Sequence, residues 1–424
     1  MKQLKQLLVG KVQLAVAVAT LTVGMAAPSF AEDVEVMHWW TSGGEAEAIS
    51  VLKKALEGEG VGWKDAAVAG GGGAAAMTAL KARVTSGNPP TAAQIGLMGL
   101  QEWAGEGLLG DLSATAEKQS WVKDLPPAVM EGAKYEGKFV GVPFNIHRAN
   151  WLWSNAKIFA DNGLTPPTTW DEFFAVGDKL KGKGIIPLAL GGEPWQETIL
   201  LEDTITAVGG SDFYRKAFLE LDMGALGSEQ MVKAFETLGK IRDYIDPGAP
   251  GRAWNDATSM VLTGKAAMQL MGDWAKGEIV KAKLVPGKDI LCTPAPGTAG
   301  AYHFNVDYFM MFKAEGSHLD AQMKLAAAIM DPSFQETFNM VKGSIPANTA
   351  VKGDKFDVCA QQAMKDIQES VAKNALIGAL QGGAAQSARI QGAVQDVVAN
   401  FFSSSQSAKD AVAALVKAVA DAKS

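Results

Sequence analysis

From residue 34 the chain repeats one unit: an apolar segment, a polar or glycine-rich loop, then a helical pattern. The alternating run Val34-Glu35-Val36-Met37-His38-Trp39 is followed by Thr41-Ser42-Gly43-Gly44 and by helical spacing from Glu45 to Leu56. A second unit has Ala66 to Ala69 as strand, Gly70 to Gly73 as turn and Ala74 to Val84 as helix. Gly87-Asn88-Pro89-Pro90 ends it, and Ala93 to Met98 begins a third. Repeated units of this kind predict an α/β fold whose parallel sheet is covered on both faces. Ligands of such sheets sit beyond the carboxyl ends of the strands, a rim that Trp39 to Glu45 and Gln94 occupy.

Further along, Tyr135-Glu136-Gly137-Lys138-Phe139-Val140-Gly141-Val142-Pro143 reads as a tight hairpin feeding a proline-limited strand that crosses between lobes. Thr165 to Phe173 supplies a proline-rich loop, a Thr N-cap and acidic residues in a first helical turn. Pro294 to Gly300 is a linker, followed by a strand-like stretch from His303 to Phe312 in which period two puts Asn305 and Asp307 on one side. The chain closes in helices, with Ala408, Val412, Leu415, Val416 and Val419 at helical spacing.

The N-terminus carries Lys2, Lys5 and Lys11, an apolar run from Leu14 to Ala27 and the small-x-small ending Ser29-Phe30-Ala31, the pattern of a cleaved secretory signal peptide over residues 1–31. Removing 31 residues from 424 leaves 393, enough for two lobes, each with its own core. Losing the three lysines takes the formal charge from −7 to −10, which argues against a nucleic-acid partner. Four His and two Cys are too few and too scattered for a metal cluster, and no cofactor is expected. Export into an oxidising compartment favours a disulfide between Cys292 and Cys359. On the chain-entropy treatment it contributes about 4 kcal/mol.

No phosphate loop, dinucleotide fingerprint, nucleophile elbow or H-E-x-x-H motif is present, and Gly70 to Gly73 reads as a plain turn rather than an anion cradle. Tryptophan outnumbers tyrosine 11 to 5. Trp39 and Trp40 are consecutive at a strand end, where alternation sends only one of them into the core. The other is free to lay a flat indole on the C–H face of a sugar ring, with Glu45 close enough to accept hydroxyl hydrogens. Trp254 and Trp274 stand in short loops before helices, and Asp307 and Lys342 offer opposite charges that can hold one hydroxyl from two sides.

These stretches resemble the extracellular solute-binding proteins of ABC sugar importers, in particular the glucose/mannose-binding branch. The similarity covers essentially the whole chain after the leader. Its most specific parts are Trp39-Trp40-Thr41-Ser42-Gly43-Gly44-Glu45, Gly87-Asn88-Pro89-Pro90 with Gln94, Val142-Pro143-Phe144-Asn145-Ile146-His147-Arg148, Pro167 to Phe173, and Gly264-Lys265-Ala266-Ala267-Met268 leading to Gly272-Asp273-Trp274. The resemblance implies a two-lobed periplasmic-binding-protein fold with a hinge and an interlobe ligand cleft. Residues 32–143 with 300–345 would form the N-terminal lobe, and 144–299 with 346–424 the C-terminal lobe. It implies a soluble periplasmic monomer without enzymatic activity that clasps a sugar and presents it to a membrane permease.

In that picture the ring is stacked by Trp39 or Trp40 on one side and by Trp254 or Trp274 on the other, with polar contacts from Glu45, Gln94, Asn305, Asp307, Lys342 and Gln381. Two positions depart from the branch. Gly96 stands where a basic or imidazole side chain is usual, and Gln381 where a His is usual. Both reshape the pocket toward a different monosaccharide, a sugar alcohol or a short glucoside. Two rivals keep their place: a secreted glycoside hydrolase using Glu45 and Asp307 as paired carboxylates, and an adhesion scaffold.

Overall fold

The structure is a computed structural model, and it describes residues 32–424; the expected signal peptide lies outside the described residues. The first sheet has five strands in the order β2 (Val61–Ala67), β1 (Glu32–His38), β3 (Ala92–Ile95), β13 (Tyr308–Met311) and β6 (Gly141–Pro143). β1 runs parallel to both β2 and β3, while β13 is antiparallel to β3 and β6. The three parallel strands are those of the repeated units, each followed by a helix: Gly43–Gly58, Ala74–Thr85 and Leu97–Gly105. The sequence places the second strand at Ala66 to Ala69. It instead begins at Val61 and ends at Ala67, because full pairing with β1 extends from Glu32↔Val61 to His38↔Ala67.

A second sheet has the order β11 (Ile290–Pro294), β8 (Trp151–Asn155), β10 (Ala266–Leu270), β9 (Ile186–Leu188). A third has the order β14 (Ile345–Pro346), β7 (Asn145–Arg148), β12 (Tyr302–Asn305), β15 (Leu376–Gly378). The hairpin read from Tyr135 onward is present as β4 (Lys134–Tyr135) and β5 (Lys138–Phe139). Its turn residues Glu136 and Gly137 have φ of 49° and 80°, the pair of positive values that a type I′ turn requires.

Two cores result. One gathers Val34, Val36, Trp40, Phe144, Phe309 and Phe338 around the first sheet. The other gathers Phe173, Leu200, Tyr214, Phe235, Val398 and Leu415. The C-terminal helix Ala408–Lys423 buries Ala411, Val412, Leu415 and Val419, with Val416 at the margin, so the expected apolar stripe is shifted by a fraction of a turn. Thr169 caps the helix Trp170–Lys181 by accepting from the Glu172 amide, as its sequence signature predicts. Among the described residues no helix is long and apolar enough to cross a membrane.

The single strand expected from His303 to Phe312 is two strands. β12 pairs with β7 and β15, and β13 pairs with β3 and β6. One run of extended backbone therefore serves two sheets, and the break at Val306 and Asp307 is a crossing between sheets. Cys292 and Cys359 are bonded, with Cα atoms 6.1 Å apart across a separation of 67 residues. The bond ties β11 to the helix Val358–Ala372 on either side of the excursion into the first sheet. Replacing both cysteines by serine is expected to lower the unfolding free energy by about 4 kcal/mol in denaturant titrations without reductant; an unchanged midpoint and slope would show that the cross-link adds nothing.

Candidate functional site

A cavity of about 330 Å³ opens where several strands and helices end, and Trp39, Trp195, Trp254 and Trp274 all contribute to its wall. Trp39 follows β1, Trp254 is the first residue of the helix Trp254–Leu262, and Trp274 precedes the helix Ala275–Lys281. Strand alternation separates the first pair as expected. Trp40 is buried against Phe144, Phe309 and Phe338, with ring centroids 5.4, 6.0 and 5.5 Å away, and reaches the cavity only at its edge. Trp39 is half-buried and turned to the open side. Trp40 is therefore a core residue, and the expectation that either indole of the pair could stack on a ligand narrows to Trp39.

The run Gly70 to Gly73 is more than a turn, because it forms part of the cavity wall. Gly73 has φ 101°, and a Cβ there would meet the Trp39 ring at 3.0 Å. The glycine lets backbone lie flat on the indole and fixes its plane.

Asp307 occupies the crossing between β12 and β13. Its backbone is held on both sides: Phe144 N donates to its carbonyl at 3.0 Å, and its own N donates to Asn145 Oδ1 at 3.0 Å. Its carboxylate accepts from Gln94 Nε2 (3.0 Å), Asn145 Nδ2 (3.0 Å) and His147 Nε2 (2.9 Å). His147 Nδ1 in turn meets Asp273, whose other oxygen accepts from the Arg148 amide at 2.9 Å. Burial opposes the charge on Asp307, but the His147 hydrogen bond and charge, then Lys342 and Asn145, outweigh it and hold the pKa at about 2. Burial likewise works against a charged His147, yet the charges and hydrogen bonds of Asp273 and Asp307 prevail and raise its pKa.

Glu45 is less available than its position suggests. Its Oε2 accepts from Thr41 N and Ser42 N, both at 3.1 Å, completing a capping box with Ser42, and its Oε1 accepts from Lys342 Nζ at 3.2 Å. Lys342 thus pairs with Glu45 rather than with Asp307. Gln94 does not line the cavity: it sits behind the site, accepting from Trp39 N at 3.1 Å and donating to Asp307, so it joins the indole to the carboxylate. Glu45, Asn305, Asp307, Lys342, Gln381, Trp254 and Trp274 all line the cavity, as does the margin of Trp40. Gly96 does not; a Cβ there would lie 2.3 Å from the Gly382 carbonyl oxygen, so the backbone of the Gln381 loop occupies the place where a reshaped pocket was expected.

His147, Glu193 and Trp195 are cavity residues to which sequence reading assigns no role. Trp195 donates to Glu193 Oε2 at 3.0 Å and its ring lies 6.2 Å from that of Trp274. Its signal was available, since Gly191-Gly192-Glu193-Pro194-Trp195 is again a loop before a helix. His147 stood in the family-like Val142 to Arg148 stretch, but its acidic partners Asp273 and Asp307 are 126 and 160 residues away.

The chain belongs to the family of bacterial extracellular solute-binding proteins, whose profile matches residues 42–331. It is 46% identical over 407 residues to a "Probable sugar-binding periplasmic protein" of Rhizobium meliloti, covering 96% of this chain and 98% of that one. A protein of the same description from Brucella suis is 47% identical over 410 residues, covering 96% and 97%. Among solved structures, a chitin oligosaccharide binding protein aligns with a TM-score of 0.79 at 21% identity over 92% of this chain and 98% of that one. A maltose-bound protein of T. maritima aligns at 0.76 and 17%, covering 92% and 100%. These likenesses establish the two-lobed fold. The family and these relatives are solute-binding proteins, and the hydrolase alternative finds no support. A glycosidase acid needs a raised pKa, whereas Asp307 is driven down and the Glu45 carboxylate is committed to its cap and to Lys342.

Because the pKa of Asp307 is depressed from 3.8 to about 2, its contribution to stability is full above pH ~4 and is lost as pH falls toward 2. The unfolding free energies of the native protein and of Asp307→Asn are expected to converge over that range by about 2 kcal/mol; a gap independent of pH would refute the burial of a charged Asp307. Trp40→Ala is expected to cost about 3 to 5 kcal/mol in the same assay and Trp39→Ala much less. Equal losses would contradict the division between core and cavity.

Proposed function

We propose that this chain is the periplasmic sugar-binding component of an ABC importer, a monomer that captures a monosaccharide of glucose or mannose type, or a related sugar, and delivers it to a membrane permease. The observation that carries this reading is the convergence of four indoles with the Asp307 carboxylate and Lys342 on one cavity. A sugar needs both: flat apolar surface for its C–H faces and fixed polar groups for its hydroxyls. At about 330 Å³ the cavity is at the small end of the roughly 300 to 1,000 Å³ of ligand sites, which favours a monosaccharide over an oligosaccharide.

The division into lobes at 32–143 with 300–345 and 144–299 with 346–424 belongs to this proposal. The first sheet, built from strands between 32 and 143 and from Tyr308–Met311, supports it. The sugar contacts both lobes only when they close, so it stabilises the closed form by its differential affinity. Discrimination comes from buried hydroxyl partners, because a polar group left without its mate costs about 1 to 3 kcal/mol.

A thermal-shift screen over monosaccharides, polyols and disaccharides is the test, since a ligand of the native state raises the melting temperature by mass action. The expected result is a shift with a hexose and no turnover of aryl glucosides. Trp39→Ala and Asp307→Ala are each expected to weaken binding of that hexose at least tenfold, the equivalent of about 1.4 kcal/mol. No shift with any sugar, or wild-type affinity in both variants, would contradict the proposal.

A further inference from the structure

The loop between β15 and the helix Ala388–Ser403 carries Gln381 to the cavity wall, and residues outside the cavity hold it there from two directions. Below it, the fully buried Glu202 accepts the amide hydrogens of Leu380 (2.6 Å) and Gln381 (3.2 Å), and the Leu380 amide also reaches Tyr214 Oη at 2.9 Å. These contacts fix the backbone of the loop. From the side, Gln395 Nε2 and Gln391 Nε2 both donate to Gln381 Oε1, at 2.6 and 3.3 Å. The two glutamines are four residues apart on one helix and so present the same face to the loop.

A carboxamide has one oxygen with two lone pairs and one nitrogen with two hydrogens. At Gln381 both lone pairs are taken by the helix, which leaves only donor capacity. Its Nε2 has no acceptor among the described residues, and it lies toward the glycine wall: a Cβ at Gly72 would stand 3.2 Å from it. We propose that Gln391 and Gln395 are positioning residues that set the polarity of Gln381, turning its amide hydrogens to the cavity so that this corner selects a ligand oxygen able to accept a hydrogen bond. The inference rests on the sugar-binding reading and adds to it a specificity rule: a hydroxyl or ring oxygen is required at this corner, and a group that can only donate is rejected.

The test exchanges one atom. Gln395→Glu places an acceptor where a donor stood, so Gln381 turns its NH₂ toward the helix and its carbonyl toward the ligand. Gln395→Leu removes the donor without supplying an acceptor. Dissociation constants are read from tryptophan fluorescence for D-glucose and its monodeoxy and monodeoxyfluoro analogues, since fluorine can accept but cannot donate. In the native protein one ring position is expected to tolerate fluorine while the deoxy analogue binds about tenfold more weakly, the order of one lost hydrogen bond to a buried partner. In Gln395→Glu that contrast disappears and D-glucose itself binds about tenfold more weakly; Gln395→Leu falls between.

Native affinity and an intact fluoro/deoxy contrast in Gln395→Glu would overturn the proposal. A ligand-free measurement separates this outcome from failure of the sugar assignment, and it needs no variant to fold. In ¹⁵N spectra of the native protein the side-chain amide hydrogens of Gln391 and Gln395 are expected to exchange slowly and those of Gln381 quickly. The reverse order would overturn the proposal whatever the ligand is.

Discussion

A buried negative charge at a chain crossing is the constraint around which the rest of the molecule is arranged. Asp307 stands where the chain passes from one sheet to another, and removing a carboxylate from water costs several kcal/mol unless hydrogen bonds and a counter-charge replace the lost hydration. Here they do: Gln94 comes from the first sheet, Asn145 and His147 from the neighbouring crossing strand, and Asp273 holds His147 from behind. These groups come from three segments, so satisfying one charge brings together the end of β3, the strand β7 and the loop after β10.

The indoles follow from strand geometry and from glycine. Two consecutive tryptophans on a strand end must part, and Trp40 enters an aromatic core while Trp39 remains at the mouth. A side chain as large as indole is held only if something flat lies against it. The backbone of Gly73 does so at one face, in a conformation an L-residue rarely adopts, which leaves the remainder of the ring to the cavity. Trp195 and Trp274 approach each other at 6.2 Å between ring centroids, and Trp195 lies against Gly72 of the same glycine run.

The parallel units, the helix caps, the hairpin and the disulfide were legible in the sequence because each depends on neighbours within a few residues or, for the cysteines, on their being a lone pair. The residues that line the cavity were largely legible too, through strand ends and tryptophans in loops. What was not legible depends on long-range pairing. The break at Val306 and Asp307 arises because two sheets compete for one extended run, and each strand takes its register from partners far away in the chain, β7 and β15 for one and β3 and β6 for the other. Gln94 looked like a ligand contact and is a support, because its partners Trp39 and Asp307 come from 55 and 213 residues away. Glu45 looked free for hydroxyls, although its spacing from Ser42 already spelled a capping box. His147 stood in a family-like stretch, but nothing nearby in the sequence pointed to its pairing with Asp273 and Asp307.

In the proposed binding mode the sugar is enclosed by groups from both lobes, and solution X-ray scattering addresses that enclosure directly. With the sugar that gives the largest thermal shift, saturation is expected to reduce the radius of gyration relative to the ligand-free protein as the lobes close over the bound ring. Stoichiometric binding with an unchanged radius of gyration in both states would contradict it.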